Sequence, residues 1–199
     1  MVKVYLDSEF LQILLNVFAG IGLSLSIGFR IFMPLLFFSI GINREWIAIA
    51  EKYQWLGDER VLWILGAAVV IEIIAYYIPF IDSVLHTLSL PLSLIAGAVL
   101  MVMLLQELST VPMWVISLTF GSGSALIGKM ISSGLRFLTT FTTAGAGNWI
   151  LSTLESIKVA IVSLLAMVAP MILFVLIIIF VPYAISKIVK KRKAVSVGT

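Results

Sequence analysis

Long apolar runs separated by short polar clusters dominate the chain. The runs are Phe10–Ile42, Val61–Ile81, Val84–Leu105, Val111 to about Asn148, and a fifth from near Trp149 that stays apolar from Val159 to Ile185. A bilayer-crossing helix needs about 20 apolar residues, so the pattern predicts an all-α bundle of about five membrane spans. The first and fourth runs are too long for one straight span. The first is interrupted by Gly20, Gly22, Ser24, Ser26, Gly28, Arg30 and Pro34. That predicts a broken and tilted helix, or a span followed by a re-entrant piece. The same is expected of the fourth. Pro170 predicts a kink in the fifth.

Between the first two runs, residues 43–60 mix charges of both signs with Trp46, Tyr53 and Trp55. Trp and Tyr favour the headgroup region, so a short helix lying on the membrane surface is expected there, ended by Gly57.

Composition reinforces the membrane reading. The chain has 199 residues, 61% hydrophobic and 12% charged, against about 25% charged in a soluble domain. It has no cysteine, which removes disulfide and thiol chemistry. The first ten residues carry Asp7 and Glu9 beside Lys3, and no small-residue cleavage site follows, so the first run is expected to be a retained span. The densest positive charge is the cluster Lys187–Lys193, with five of the 13 Lys and Arg residues. That is the pattern of a cytoplasmic anchor rather than of a nucleic-acid surface. Putting this cluster inside, with five spans, places Arg44, Lys52 and Arg60 inside as well. Eight cations then lie inside, against two outside, Lys3 and Lys158. The expectation is a multi-pass protein of the cell inner (plasma) membrane with a cytoplasmic C-terminus.

Arg30, Lys129 and Arg136 remain, and these are the intramembrane cations. The stretch Gly128–Asn148 concentrates them with Ser132, Ser133, Thr139, Thr140, Thr142, Thr143 and several glycines. A cation at the bilayer centre costs at least about 2.5 kcal/mol unless it snorkels or finds a partner. Irregular backbone there survives inside protein or beside water. The stretch is therefore the expected functional centre.

Shifting the chain by 106 residues superposes Gly22, Ser26, Gly28, Arg30, Gly41 and Lys52 on Gly128, Ser132, Gly134, Arg136, Gly147 and Lys158. Both copies lie in the overlong runs, which five spans would make antiparallel. The arrangement is that of an inverted repeat, whose sites form where broken helices meet. A single membrane domain is expected, with repeat A at about 10–81, a linking span at 84–105, repeat B at about 111–185 and a basic tail at 186–199.

Each candidate has two readings. Arg30 and Arg136 form a paired cationic site for a carboxylate or phosphate, or they are structural cations held by Glu72, Glu107 or backbone carbonyls. Glu72, alone in the middle of a clean span, is a proton carrier or an arginine counter-ion, the second being favoured. Lys129, Thr139, Thr140, Thr143 and Asn148 line a polar cavity, or the threonine hydroxyls bond the preceding turn. Asp82 and His86, four residues apart, form a proton relay with Glu155, or a turn at the membrane surface. They make too thin a ligand set for zinc. Glu155 and Lys158 also have the spacing of a helix-end ion pair. No catalytic motif or P-loop appears, so neither an enzyme nor a cofactor is expected.

Gly28-Phe-Arg-Ile-Phe-Met-Pro-Leu35, Glu72 with Ile78-Pro-Phe-Ile-Asp82 and His86, and the blocks Gly128-Lys129, Gly134-Leu-Arg136, Thr139-Thr140, Gly145-Ala-Gly-Asn148 and Leu151-Ser-x-x-Glu155 together resemble the DUF4126 family of small bacterial membrane proteins. The resemblance covers nearly the whole chain. Trp149 departs from a proline in the family pattern, and Ser156 from an acidic residue. The resemblance implies a multi-spanning topology and carries no activity.

The expectation for function is a small transporter or channel-like translocator for an anionic solute or lipid headgroup, possible as a homo-oligomer in the lipid bilayer. The competing expectation is a structural membrane protein whose buried charges neutralise one another. A third is a lipid-acting enzyme in which Asp82, His86 and Glu155 or Glu107 converge.

Overall fold

The computed structural model describes residues 2–47, 49–143 and 147–170, with 172, 175, 176 and 179. At residues 2–9, 79–84, 86, 87, 140, 143 and 148 it describes the backbone alone. The basic cluster at 187–193 and the tail lie outside the described residues.

The described chain is all-helical. It runs α1 (Val2–Phe29), α2 (Phe32–Asn43), a 3-10 helix (Glu51–Gly57), α3 (Glu59–Ala75), α4 (Pro79–Leu104), α5 (Thr110–Ile116), a π-helical turn (Ser117–Ser122), α6 (Gly123–Thr143) and α7 (Asn148–Val168). α1 is the central helix and packs against α4, α6, α7 and α2.

The outside of the bundle is apolar and the inside is partly polar, the reverse of a soluble protein. Trp63, Val111, Phe137 and Phe141 are among the most exposed side chains. Arg30, Lys129, Arg136, Glu72 and Glu155 are buried, with a series of serines. Three helices among the described residues are long and apolar enough to cross a membrane: Phe10–Phe29, Thr110–Thr139 and Trp149–Val168. Phe32–Asn43 and Leu88–Leu104 are shorter apolar helices.

The first overlong run breaks as expected, between Phe29 and Phe32. Pro34 explains the position. In a continuous helix its ring would meet the Arg30 carbonyl, four residues back, and its missing N–H would cost a hydrogen bond. In the first turn of a new helix neither penalty applies.

The fourth run does not break where the polar stretch begins. Gly128 to Thr143 is regular α-helix, and the irregularity is the π turn one stretch earlier. Two features keep α6 helical. Threonine hydroxyls bond back to carbonyls of the preceding turn, Thr139 to Leu135 and Arg136, and Thr142 to Leu138. The glycine at 128 serves contact with α1 rather than a turn. In α7, Ala169 leaves the helix just before Pro170, where a break was expected.

One other expectation is corrected. The second run does not stay helical to Ile81. α3 stops at Ala75 and α4 starts at Pro79, because a proline favours the first turn and cannot continue a helix. Residues 43–60 hold the expected short helix ended by Gly57, as a 3-10 helix over Glu51–Gly57. Asn43 Nδ2 donates to the Gly57 carbonyl at 2.8 Å, and the Ser39 hydroxyl donates to the Leu56 carbonyl. These bonds fold the segment back under α2 as a 3-10 turn ending at Gly57.

Small residues let the helices approach. A Cβ on Gly28 would lie 2.2 Å from the Ala125 carbonyl oxygen and 2.8 Å from Gly128 Cα. One on Gly128 would lie 2.2 Å from the Leu25 carbonyl. α4 meets the π turn in the same way, at Gly97 and Gly121. Buried hydroxyls finish these crossings, Ser24 to the Gly97 carbonyl at 3.1 Å and Ser122 to the Leu94 carbonyl at 2.9 Å. The two segments matched by the 106-residue shift differ locally. The chain breaks at Arg30 but is continuous helix at Arg136. Gly28 is tightly enclosed, while Gly134 has nothing within 4 Å.

Gly28→Val is expected to destabilise the bundle by about 1–3 kcal/mol or more, since backbone and not a pliable side chain blocks it. Gly134→Ala is expected to leave stability unchanged or raise it by about 0.5–1 kcal/mol. Thermal melting of the detergent-solubilised variants checks both.

Candidate functional site

The break between α1 and α2 creates the site. Ending α1 at Phe29 leaves Arg30 at its carboxyl end, with its side chain 1% exposed. It also frees the amides that open α2. Glu72 of α3 fills that position. Its carboxylate accepts from Ile31 N–H at 2.8 Å and from Phe32 N–H at 3.2 Å. A buried carboxylate on the amino end of a helix meets both unsatisfied amides and the positive end of the dipole. Glu72 is therefore a helix cap held between α2 and α3, and its charge also attracts Arg30, as the counter-ion reading expects.

Tyr76 lies one turn after Glu72 and shares its face of α3. Its ring carries both arginines. The Arg30 guanidinium carbon is 4.5 Å from the ring centroid and that of Arg136 is 4.8 Å. Cation–π attraction of this kind grows as water is removed, and Tyr76 is 5% exposed. Two like charges are thus held around one aromatic ring, a repulsive placement unless anionic groups accompany them.

Glu155 supplies one such group. It is fully buried, and its Oε2 lies 2.7 Å from Arg136 Nη2. Its Oε1 accepts from the Ser132 hydroxyl at 2.7 Å. Ser132 and Arg136 lie four residues apart on α6, so one helix face presents both to α7. Ser152, three residues before Glu155, closes the set. Its hydroxyl accepts from Arg136 at 3.2 Å and its carbonyl accepts from Arg30 Nη2 at 3.0 Å. That carbonyl also accepts from Ser156 Oγ. Arg30 Nε and Nη1 have no hydrogen-bond partner among the described residues.

The structure therefore brings Arg30 and Arg136 together, with Glu72 nearby and Glu155 between the α6 and α7 faces. Glu155 does not pair with Lys158, which is exposed and lies over the Phe29 ring at 4.7 Å. α7 turns Glu155 inward to the arginine and Lys158 outward. Lys129 is buried and donates to Ser89 of α4. Thr139 is half-buried with its hydroxyl turned to its own helix. Glu107 is exposed, away from the buried arginines. The side chains of Asp82, His86, Thr140, Thr143 and Asn148 lie outside the described residues. No group of three or more His, Cys, Asp or Glu side chains able to hold a metal occurs among the described residues.

The chain matches the family model described as a domain of unknown function, DUF4126, over residues 17–190 of 199. It belongs to that family. The match takes in α2, α3 and the arginine cluster, with most of the remaining helices. No curated protein and no solved structure is significantly similar to the chain.

Sequence reasoning gave no site role to Tyr76, Ser152 or Ser89, and placed Ser132 only within the polar stretch. The signal for Tyr76 was its spacing of four from Glu72, and for Ser152 its spacing of three from Glu155. Both place a polar group on the buried face of a helix.

Glu155→Ala is expected to destabilise the protein by about 3–5 kcal/mol, because it leaves a buried guanidinium without its charge partner. Arg136→Leu combined with Glu155→Ala is expected to recover a substantial part of that loss. Chemical or thermal unfolding of the single and double variants gives the coupling.

Proposed function

We propose that this membrane protein is a small translocator that binds an anionic group at the Arg30–Arg136 pair. The observation that carries the reading is Arg30. It is a fully buried cation with one carbonyl partner, and two of its nitrogens, Nε and Nη1, have no acceptor among the described residues. Buried guanidiniums are ordinarily bonded throughout, and an unsatisfied one in a native structure calls for an absent ion, water or ligand. Its flat fork is suited to a carboxylate or phosphate. Tyr76 holds the second guanidinium beside it at similar distance. An anion there would offset the repulsion between the two.

The reading places the protein in the cell inner membrane, multi-pass, with the basic tail on the cytoplasmic side. An inverted-repeat ancestry and a homo-oligomeric assembly belong to the same proposal. The Gly/Arg spacing of the two overlong runs supports the first, and the extensive exposed apolar surface supports the second. No step of bond chemistry is assigned.

A second reading has specific support. Glu155 neutralises Arg136, and Glu72 is committed to two backbone amides. A scaffold closed by its own charges would look the same at those two positions. It would leave Arg30 Nε and Nη1 without an acceptor.

Reconstitution into liposomes separates the two. Release of a small trapped anion such as glycerol phosphate is expected from vesicles carrying the protein and not from empty ones. Arg30→Gln is expected to lower that release by about 10–100-fold, the loss of one charge-assisted contact in a buried site. Arg30→Lys is expected to fall between. If the wild-type protein releases no anion, and Arg30→Gln folds normally, the scaffold reading stands.

A further inference from the structure

We infer that the anion this site takes is the head of an amphiphile, with its hydrocarbon chain lying in an open cleft between α3 and α4. The inference rests on the anion-binding reading above and names the substrate class. α3 leans on α2 and on the 3-10 turn, and a cleft of about 920 Å³ remains between it and α4. Ile64, Ala68 and Ile71 of α3 form one wall, and Leu88, Leu92 and Ile95 of α4 form the other. Several of these residues are also highly exposed, Ile64 at 67% and Ile95 at 63%, so the cleft opens sideways, toward the lipid.

Polarity along the cleft is uneven. Trp55 and Leu56 line it beside the start of α3, and Glu72, Tyr76 and Ser89 line it at the other end. The polar end adjoins the arginine pair. Tyr76 is a wall of the cleft and the ring on which both guanidiniums lie. One side chain thus separates the apolar cleft from Arg30 Nε and Nη1, which have no acceptor among the described residues. Ser89 repeats the pattern, lining the cleft while it accepts from buried Lys129. Glu72 is the charged side chain that lines the cleft, and its carboxylate is taken up by the Ile31 and Phe32 amides. With Arg30, Arg136 and Lys129 behind that end against Glu72 and Glu155, the polar end keeps a net positive charge, which is complementary to a chain with an anionic head. A small hydrated anion has no use for the trough, and a zwitterionic head gains less from the cations.

α3 is a 17-residue helix, about 25 Å long at 1.5 Å per residue. The trough beside it is long enough for an extended acyl chain. The occupant committed to is an anionic glycerophospholipid drawn from the surrounding bilayer.

The test uses the full chain purified in detergent, with native mass spectrometry as the readout and three probes: phosphatidylglycerol, phosphatidylcholine and chainless glycerol phosphate. Phosphatidylglycerol is expected to be retained about tenfold better than phosphatidylcholine, a difference of one decade in affinity. Ala68→Phe and Ala96→Phe each narrow the cleft. They are expected to reduce phosphatidylglycerol retention and leave glycerol phosphate binding unchanged. Arg30→Gln is expected to abolish the preference between the two lipids.

A second measurement needs no cleft variant. Phosphatidylglycerol with brominated chains, at low mole fraction in phosphatidylcholine vesicles, is expected to quench Trp55 more than brominated phosphatidylcholine does. Trp55→Phe identifies that part of the signal. Glycerol phosphate binding that depends on Arg30, with equal retention and equal quenching by both lipids, overturns the amphiphile and leaves the anion site standing. No Arg30-dependent binding of any probe overturns both.

Discussion

A guanidinium buried among apolar helices has to be met by charge or by hydrogen-bond acceptors, and the arrangement of this bundle follows from that need at two positions. Desolvating each arginine costs several kcal/mol. Arg136 is met by Glu155 from the neighbouring helix and by Ser152. Arg30 is met by the carbonyl of the same Ser152 and by the Tyr76 ring. To supply these groups, α7 must lie against both α6 and the end of α1, and α3 must return its carboxyl end to the same place. The glycine crossing of α1 on α6 then fixes how near they come.

The same constraint explains why one helix breaks and another does not. Ending α1 exposes amides that would be costly inside a bilayer. Glu72 takes two of them, so the break is stable only with α3 in position. α6 carries its polar residues without breaking, because its hydroxyls turn to carbonyls of the preceding turn and its Arg136 has a carboxylate partner. Polarity in a membrane helix therefore does not by itself mark irregular backbone. A proline with a carboxylate cap nearby is the better sign.

How much was legible in the sequence depended on the range of the interaction. Apolar runs, the break before Pro34, the ends at Gly57 and Pro170, and the family came from local pattern. So did the three buried cations, since an isolated charge in an apolar run has few places to go. What failed was pairing. The spacing of Glu155 to Lys158 is right for a helix pair, but its spacing to Ser152 is equally right for a face turned inward. Only the packing of α7 on α6 decides between them. The attraction of Glu72 to an arginine was visible as charge in the sequence, whereas its capping role was not, because the helix start it caps lies 41 residues away.

The central claim is that Arg30 presents two hydrogen-bond donors to an anionic group that the protein itself does not provide. A structure determined in lipid nanodiscs, at a resolution that shows bound headgroups and solutes, tests it most directly. The account expects density for a phosphate or carboxylate within about 3 Å of Arg30 Nε and Nη1. If both nitrogens instead donate to oxygens of the protein, with the space around Tyr76 closed, the arginines are structural and the claim is wrong.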